Sequence, residues 1–438
     1  MIRSISGLQT FQILRYSGQI AVAVLLAQSG IGRYSIGIYE SLLLISGMTG
    51  FFWVGGLMNA LIPRFRKSDE ATQPRLLNSA FLTMLILSGL LFAGLRLFEA
   101  PLTNLLNRDS IPGYQLFTWF VLLNNPTFLL EYLLFLKPVG KGKSGTQLLI
   151  YGLLVFALQI VLIGLPAING HPIESVVQGM VIFAGIKFGL LLLAIGPSLF
   201  KGLDREAWAG LMRLGSPIAL SLLLGGISVY IDGLIVANRM GAESLAVFQY
   251  GARELPLVLL LANAFSAAAA GTIASDQKAG LAEIRDRSYV MLRWLFPLTV
   301  ILMLLSPVLF PLVFTPEFKE SWQIFNVYLL LLIPRLLFPQ SVLTGRGDGW
   351  VLSGVSLVEL VVNTALSLWW LQLFGIIGVA YATVAAHLLD KLMLIGHLHF
   401  RNQISPSTYI RVPAYLAYSA ILAAVFLLSQ YFGQQFFP

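Results

Sequence analysis

The chain has 438 residues, 57% of them hydrophobic and 11% charged, with no cysteine and a formal net charge of +8. Soluble domains carry about 25% charged residues, so this deficit, with a mean hydropathy of +0.81, places the chain in the membrane class. The missing cysteine excludes disulfides, thiolate metal centres and thiol catalysis. Apolar runs of about 20 residues, rather than ten-residue alternating ones, argue for membrane helices and against a β-barrel.

The opening MIRSISGLQTFQILRYSGQIAVAVLLAQSG is interrupted by Arg15, and no small-residue cleavage site follows. It therefore reads as an uncleaved first membrane helix rather than a secretion signal. Apolar segments between short polar loops predict about thirteen helices, near 8–30, 36–62, 76–98, 113–136, 146–166, 175–199, 209–238, 244–273, 289–314, 322–343, 350–373, 375–400 and 412–432. With the N-terminus inside, cytoplasmic segments hold 17 Lys and Arg, among them Arg3, Arg15, Lys137, Lys141, Lys143 and Lys201, against 5 in the outer segments. That bias follows the positive-inside pattern.

The spans contain an internal repeat. RYSGQIA at 15–21 echoes RLGSPIA at 213–219, and IGIYE at 36–40 echoes VFQYG at 247–251. NPTFLLEYLLFL with GKGKSG pairs with IPRLLFPQSVL with TGRGDG, and GIKFGLLLL with LDKLMLIG, in the same order. The expected organisation is a six-helix bundle over 1–200, a second over 201–411, and an extra membrane helix over 412–438. An even helix number per unit gives parallel repeats, which in transporters place the substrate site between halves near the midplane.

These repeats, the YG-type motif in the second helix of each half, and PRLLFPQSVLTGRGDGWVLSGVSLVELVVNTALSLWWLQLFGIIGVAYATV at 334–384 resemble the multidrug/oligosaccharidyl-lipid/polysaccharide exporter superfamily. Within it the likeness is to the polysaccharide (O-antigen type) flippase branch. The resemblance implies an all-α polytopic protein with two parallel six-helix repeats around a central cavity. It also implies export of a polyprenyl-diphosphate-linked oligosaccharide from the inner to the outer leaflet, without ATP hydrolysis. That family commonly has twelve or fourteen helices; this chain reads as thirteen.

Several charges fall inside the spans. Counted from the outer ends, Lys187 is about 12 residues into the sixth helix, Arg253 about 9 into the eighth, Arg335 about 13 into the tenth and Lys391 about 16 into the twelfth. Each costs at least about 2.5–3.5 kcal/mol at mid-depth, so the four are expected to line one wet cavity suited to a diphosphate. The competing reading is that each cation pairs with an acid. The chain neighbours Arg253/Glu254 and Lys391/Asp390 are expected not to face each other, because adjacent helix positions diverge by about 100°.

The acids in the spans, Glu40, Glu131, Asp232, Glu254, Glu359 and Asp390, are candidates for proton or Na⁺ coupling or for charge pairing. Glu359 and Asp390 are expected as ion-pair partners, and Asp232, near an outer end, as wet. His387, Asp390 and Lys391 share a helix face that either lines the cavity or joins two helices. HxH at His397 and His399 splays its rings and makes a poor metal site; no metal or cofactor is expected. GKGKSGT at 140–146 lacks phosphate-loop spacing, and the basic loops at 64–75 and 137–143 are expected to touch anionic lipid heads. Pro334 and Pro339 predict a flexing tenth helix.

The expected function is therefore a lipid-linked oligosaccharide flippase of the bacterial inner (plasma) membrane, N-terminus cytoplasmic, serving surface polysaccharide and lipopolysaccharide biosynthesis. Its expected partners are the lipid-linked oligosaccharide, membrane lipids and glycan-building proteins such as a polymerase or glycosyltransferases, with no nucleic acid. The alternative is a cation-coupled multidrug antiporter. A membrane-embedded enzyme is disfavoured because no loop exceeds about 15 residues, and a scaffold would not need mid-depth cations.

Overall fold

A backbone in hydrocarbon must satisfy its own hydrogen bonds, which restricts these apolar runs to helices. The computed structural model describes residues 7–136, 144–196 and 204–436, and among them there is no strand. The basic loop at 137–143, most of the 140–146 motif, Arg3 and Lys201 lie outside the described residues. Among the described residues twelve helices are long and apolar enough to cross a membrane, and a pair bent by 44°, Ser321–Arg335 with Pro339–Arg346, makes a thirteenth if it is one broken span.

The chain forms two compact units. One comprises Met1–Tyr230 and Ala237–Leu245; the other comprises Ile231–Val236 and Ala246–Pro438. The first contains α1 (Gly7–Gln28), α2 (Gly32–Lys67), α3 (Gln73–Leu97), α4 (Glu99–Leu105), α5 (Tyr114–Leu136), α6 (Ser144–Gln159), α7 (Leu165–Ile168), α8 (Ile173–Ile195) and α9 (Arg205–Gly226). A π turn at Ile160–Gly164 joins α6 to α7. Helix α10 (Ser228–Gly251) is shared between the units.

Gly30 (φ 75°) and Gly32 (φ 81°) make the corner between α1 and α2, a conformation in which a side chain would be strained. Gly241 (φ 82°) breaks α10 at the corresponding place in the sequence repeat. Helix α9 lies antiparallel along α2. Gly56 sits against Ala219 and Gly215 against Ala60, so tightly that a Cβ on Gly56 would overlap the Ala219 backbone. Small residues let helix backbones approach closely where burial of apolar surface gives little drive. The first continuous segment of this unit runs to Tyr230, with α9 packed on α2 inside it.

The second unit contains α11 (Pro256–Ser275), α12 (Gln277–Phe314), α13 (Ser321–Leu329), α14 (Leu332–Arg335), α15 (Pro339–Arg346), α16 (Gly349–Phe374), α17 (Ile376–Phe400) and α18 (Val412–Phe436). Three differences from the sequence reading have local causes. The expected seventh helix is α9 running on into α10, and the expected eighth is interrupted at residues 252–255 between α10 and α11. Pro256 follows that break, and the residue before proline is pushed away from the α region. The expected ninth helix begins not at 289 but at Gln277. Asp276 caps it by accepting from the Ala279 amide at 3.0 Å, and Glu283 pairs at 3.1 Å with the exposed Arg287 one turn on.

The tenth helix is broken into α13, α14 and α15 around Pro334 and Pro339. The last helix, α18, is pinned by polar contacts. Asn326 Nδ2 donates to Ser429 Oγ at 3.1 Å and to the Met303 carbonyl at 3.0 Å, while Oδ1 accepts from Ser306 at 2.7 Å. Tyr415 Oη donates to the Leu336 carbonyl at 2.8 Å, satisfying an acceptor at the break.

Candidate functional site

In the first unit three charged side chains gather on α1, α5 and α8. Arg15 Nη1 donates to Glu131 Oε2 at 3.2 Å. Lys187, 4% exposed, donates to Asn124 Oδ1 at 3.3 Å and lies within electrostatic range of Glu131. The Phe128 ring is close to both cations, its centre 5.6 Å from the Arg15 Cζ and 5.6 Å from the Lys187 Nζ. Asn124 and Phe128 are four apart on α5, so one helix face presents both. Glu131 is 3% exposed, and its Oε1 has no hydrogen-bond partner. Two cations against one carboxylate leave this group formally positive.

Arg15 was expected in a cytoplasmic segment. It is instead a half-buried ion-pair partner within α1. The interruption it makes in an apolar run was the available signal; its partner, 116 residues away, was not legible locally.

In the second unit Arg335, the last residue of α14, holds Glu254 in a two-pronged pair, Nε–Oε2 at 2.9 Å and Nη2–Oε1 at 2.5 Å. Arg253 stands in the break between α10 and α11, not inside a helix as expected. Its Cζ is 5.1 Å from the Tyr250 ring centre, and its Nε donates to the Gln249 carbonyl at 3.4 Å. Glu254 thus turns away from its chain neighbour to a residue 81 positions on.

Helix α17 carries the polar face read from the sequence. His387 Nδ1 lies 3.1 Å from Glu359 Oε1 on α16 and 3.2 Å from the Thr383 carbonyl. Lys391 Nζ pairs with Asp390 Oδ2 at 2.9 Å and donates to Gln340 Oε1 at 3.2 Å. Lys391 and Asp390, expected not to face each other well, therefore do pair, a lysine side chain being long enough to span the 100° separation.

Asp232 is a further correction. Near the end of its span it was expected to be wet, yet it is 2% exposed. Its carboxylate accepts from Thr383 Oγ1 at 2.6 Å, Asn363 Nδ2 at 2.9 Å and Ser367 Oγ at 3.3 Å. Asn363 and Ser367 are one turn apart on α16, and Thr383 faces them from α17. Nothing local marks Thr383 or Ser367 as partners of Asp232; the packing of α16 on α17 brings them together.

The four expected cavity cations therefore fall into separate groups: Lys187 in the first unit, and Arg253, Arg335 and Lys391 in the second. In the second unit those three cations stand with four carboxylates, Asp232, Glu254, Glu359 and Asp390. Among the described residues no group of three or more His, Asp or Glu is arranged to hold a metal ion.

The profile of a family described as polysaccharide biosynthesis protein matches residues 31–323. A putative O-antigen transporter of Shigella flexneri is 22% identical over 385 residues, covering 83% of this chain and 90% of that protein. Among solved structures, lipid II flippase MurJ in an inward closed conformation covers 98% of both chains at 15% identity, with a TM-score of 0.66. An inward-facing multidrug resistance MATE family transporter of the MOP superfamily covers 94% of this chain and 98% of its own at 13% identity, with a TM-score of 0.62. At these identities the likeness to solved structures is one of fold.

Proposed function

Because the chain belongs to the polysaccharide biosynthesis protein family, as a multi-pass membrane transporter of the multidrug/oligosaccharidyl-lipid/polysaccharide exporter superfamily, we propose that it is a flippase for a lipid-linked oligosaccharide. Its substrate would be a polyprenyl-diphosphate-linked oligosaccharide, moved from the inner to the outer leaflet of the bacterial inner membrane by alternating access, with the N-terminus cytoplasmic. Proteins that build and polymerise the glycan would be its partners.

The observation that carries this reading is the retention of Lys187, Arg335 and Lys391 inside apolar spans, with Arg253 in the break between α10 and α11, each beside hydrogen-bonding or aromatic partners. Basic side chains at that depth are costly on a span that only packs, and Arg and Lys are the natural ligands of a diphosphate. The polyprenyl tail would stay in lipid while the head group crosses. With the inside negative, outward movement of an anion gains about 2.3 kcal/mol per charge per 100 mV, so no nucleotide need be hydrolysed.

For ion coupling we assign Asp232 as the first candidate. Its carboxylate is ringed by two hydroxyls and an amide, oxygen-rich surroundings compatible with proton exchange or with Na⁺. Glu359 beside His387 is the second candidate, and Asp390 and Glu131 act as charge partners.

A multidrug antiporter is the other reading, and the excess of carboxylates in the group of Asp232, Glu254, Glu359 and Asp390 over Arg253, Arg335 and Lys391 favours it. Translocation in proteoliposomes decides between them. A short polyprenyl-diphosphate oligosaccharide is placed in one leaflet and its exposure in the other is scored beside ethidium efflux, for wild type, Arg253→Ala and Arg335→Ala. Lipid flipping that collapses in both variants supports the flippase; ethidium efflux without flipping overturns it.

A further inference from the structure

We propose that Glu254 is an internal stand-in for the substrate's phosphate, occupying the Arg335 fork when the transporter is empty and yielding it when a diphosphate arrives. This rests on the flippase reading and specifies how its binding site is regulated. A guanidinium presents its donors in a fixed fork that fits a carboxylate and a phosphate alike. Glu254 fills that fork, with both of its oxygens engaged at 2.9 and 2.5 Å. While it does so, no phosphate can bind there.

The backbone on each side of the pair is built to let go. Glu254 lies in the non-helical residues 252–255, and Arg335 ends α14 just before the non-helical residues 336–338. Either side chain can swing with a few backbone dihedrals without unwinding a helix. The other candidate ion pairs differ: Glu131 is inside α5 and Asp390 inside α17, with side chains only 4% and 12% exposed. The Arg335 and Glu254 side chains are 26% and 19% exposed, so a ligand can reach the pair.

The cleft beside the pair is lined by Glu254, Arg335, Thr299 and Tyr328 and offers about 10 Å³. That is about the room of one water. A phosphate gains its place only if Glu254 leaves. The exchange trades one two-pronged anion for another, so it is close to balanced and reversible. A balanced exchange suits a transporter, which must release its cargo: the returning carboxylate displaces the phosphate on the far side.

The test measures farnesyl diphosphate binding by calorimetry on the purified full-length protein in nanodiscs. Wild type is compared with Glu254→Gln, which keeps the shape but removes the competing charge, and with Arg335→Gln. The expected result is at least tenfold tighter binding by Glu254→Gln and loss of binding by Arg335→Gln. A measurement on wild type alone guards against misfolding of the variants. Carbodiimide-driven labelling of Glu254 with glycine ethyl ester, read by mass spectrometry, is expected to rise several-fold when farnesyl diphosphate is added.

If wild type binds and Arg335→Gln does not, while Glu254→Gln binds no tighter and the labelling does not rise, the stand-in role is overturned and the flippase reading stands. If neither wild type nor Glu254→Gln binds the diphosphate, Arg335 is no phosphate ligand, and the flippase reading loses its binding site together with this proposal.

Discussion

Replacing Arg15 with methionine removes the partner of a carboxylate that is 3% exposed and already has one oxygen without a hydrogen bond. Breaking a buried ion pair from one side costs about 3–5 kcal/mol, because the remaining charge is left uncompensated. Two features reduce that figure. The Arg15 side chain is itself 22% exposed, and Lys187 remains within electrostatic range of Glu131. The expected loss is therefore about 2–3 kcal/mol. The double variant Arg15→Met/Glu131→Leu removes both charges and leaves apolar side chains among Phe11 and Phe128, so it should lie within about 1 kcal/mol of wild type. Unfolding followed by tryptophan fluorescence in nanodiscs, for wild type, both single variants and the double, measures the coupling. If the double variant loses the sum of the two single losses, the coupling is zero and the ion pair does not hold α1 to α5.

Other parts of the structure give sharper yes-or-no outcomes. Gly56→Leu puts a side chain into the Ala219 backbone and should separate α9 from α2, lowering the unfolding temperature and the folded yield; Gly89→Leu, where the glycine faces open space, should not. Thr383→Val removes the shortest hydrogen bond to Asp232, should cost about 1.5–3 kcal/mol, and should change the proton or Na⁺ dependence of transport if Asp232 couples it. Asn326→Leu leaves Ser306 and Ser429 without their buried partner and should loosen α18, seen as faster hydrogen exchange confined to α18 and its neighbours. Arg108, in the loop between α4 and α5, has both Nη atoms buried without a hydrogen bond, and desolvation holds its pKa below the usual arginine value. Arg108→Met should therefore stabilise the protein, by about 1 kcal/mol, seen as a higher unfolding temperature.

The helical class and nearly all the spans were legible because apolar length is a property of each segment alone. What required the fold was of two kinds. The first was a polar helical extension: Gln277–Arg287 is charged enough to read as a loop, and only its Asp276 cap and the Glu283–Arg287 pair betray a helix. The second was pairing across long sequence separations. The basic residues Lys187, Arg335 and Lys391 could be singled out by depth, but their partners Asn124, Glu254 and Gln340 are chosen by packing. The rule that adjacent helix residues face apart agrees with one neighbour pair and fails for the other. Glu254 ignores Arg253 because a break reorients it, whereas Asp390 meets Lys391 because a lysine stem is long enough to bend. Asp232 was misplaced because position along a span says nothing about which helices cover its end.

The first twenty residues of α12, Gln277 to Phe296, precede its first proline, Pro297. At about 1.5 Å per residue they form a rod about 30 Å long. A proline removes one hydrogen bond of the helix ladder, so Pro297 is a natural pivot. A pivot of about 10° there would sweep the Gln277 end through about 5 Å, a displacement that paired spin labels resolve. The chain has no cysteine of its own, so labels can be attached at chosen sites near that tip without background. The molecule carries its own pointer, one that would magnify a small rotation at Pro297 into a measurable distance.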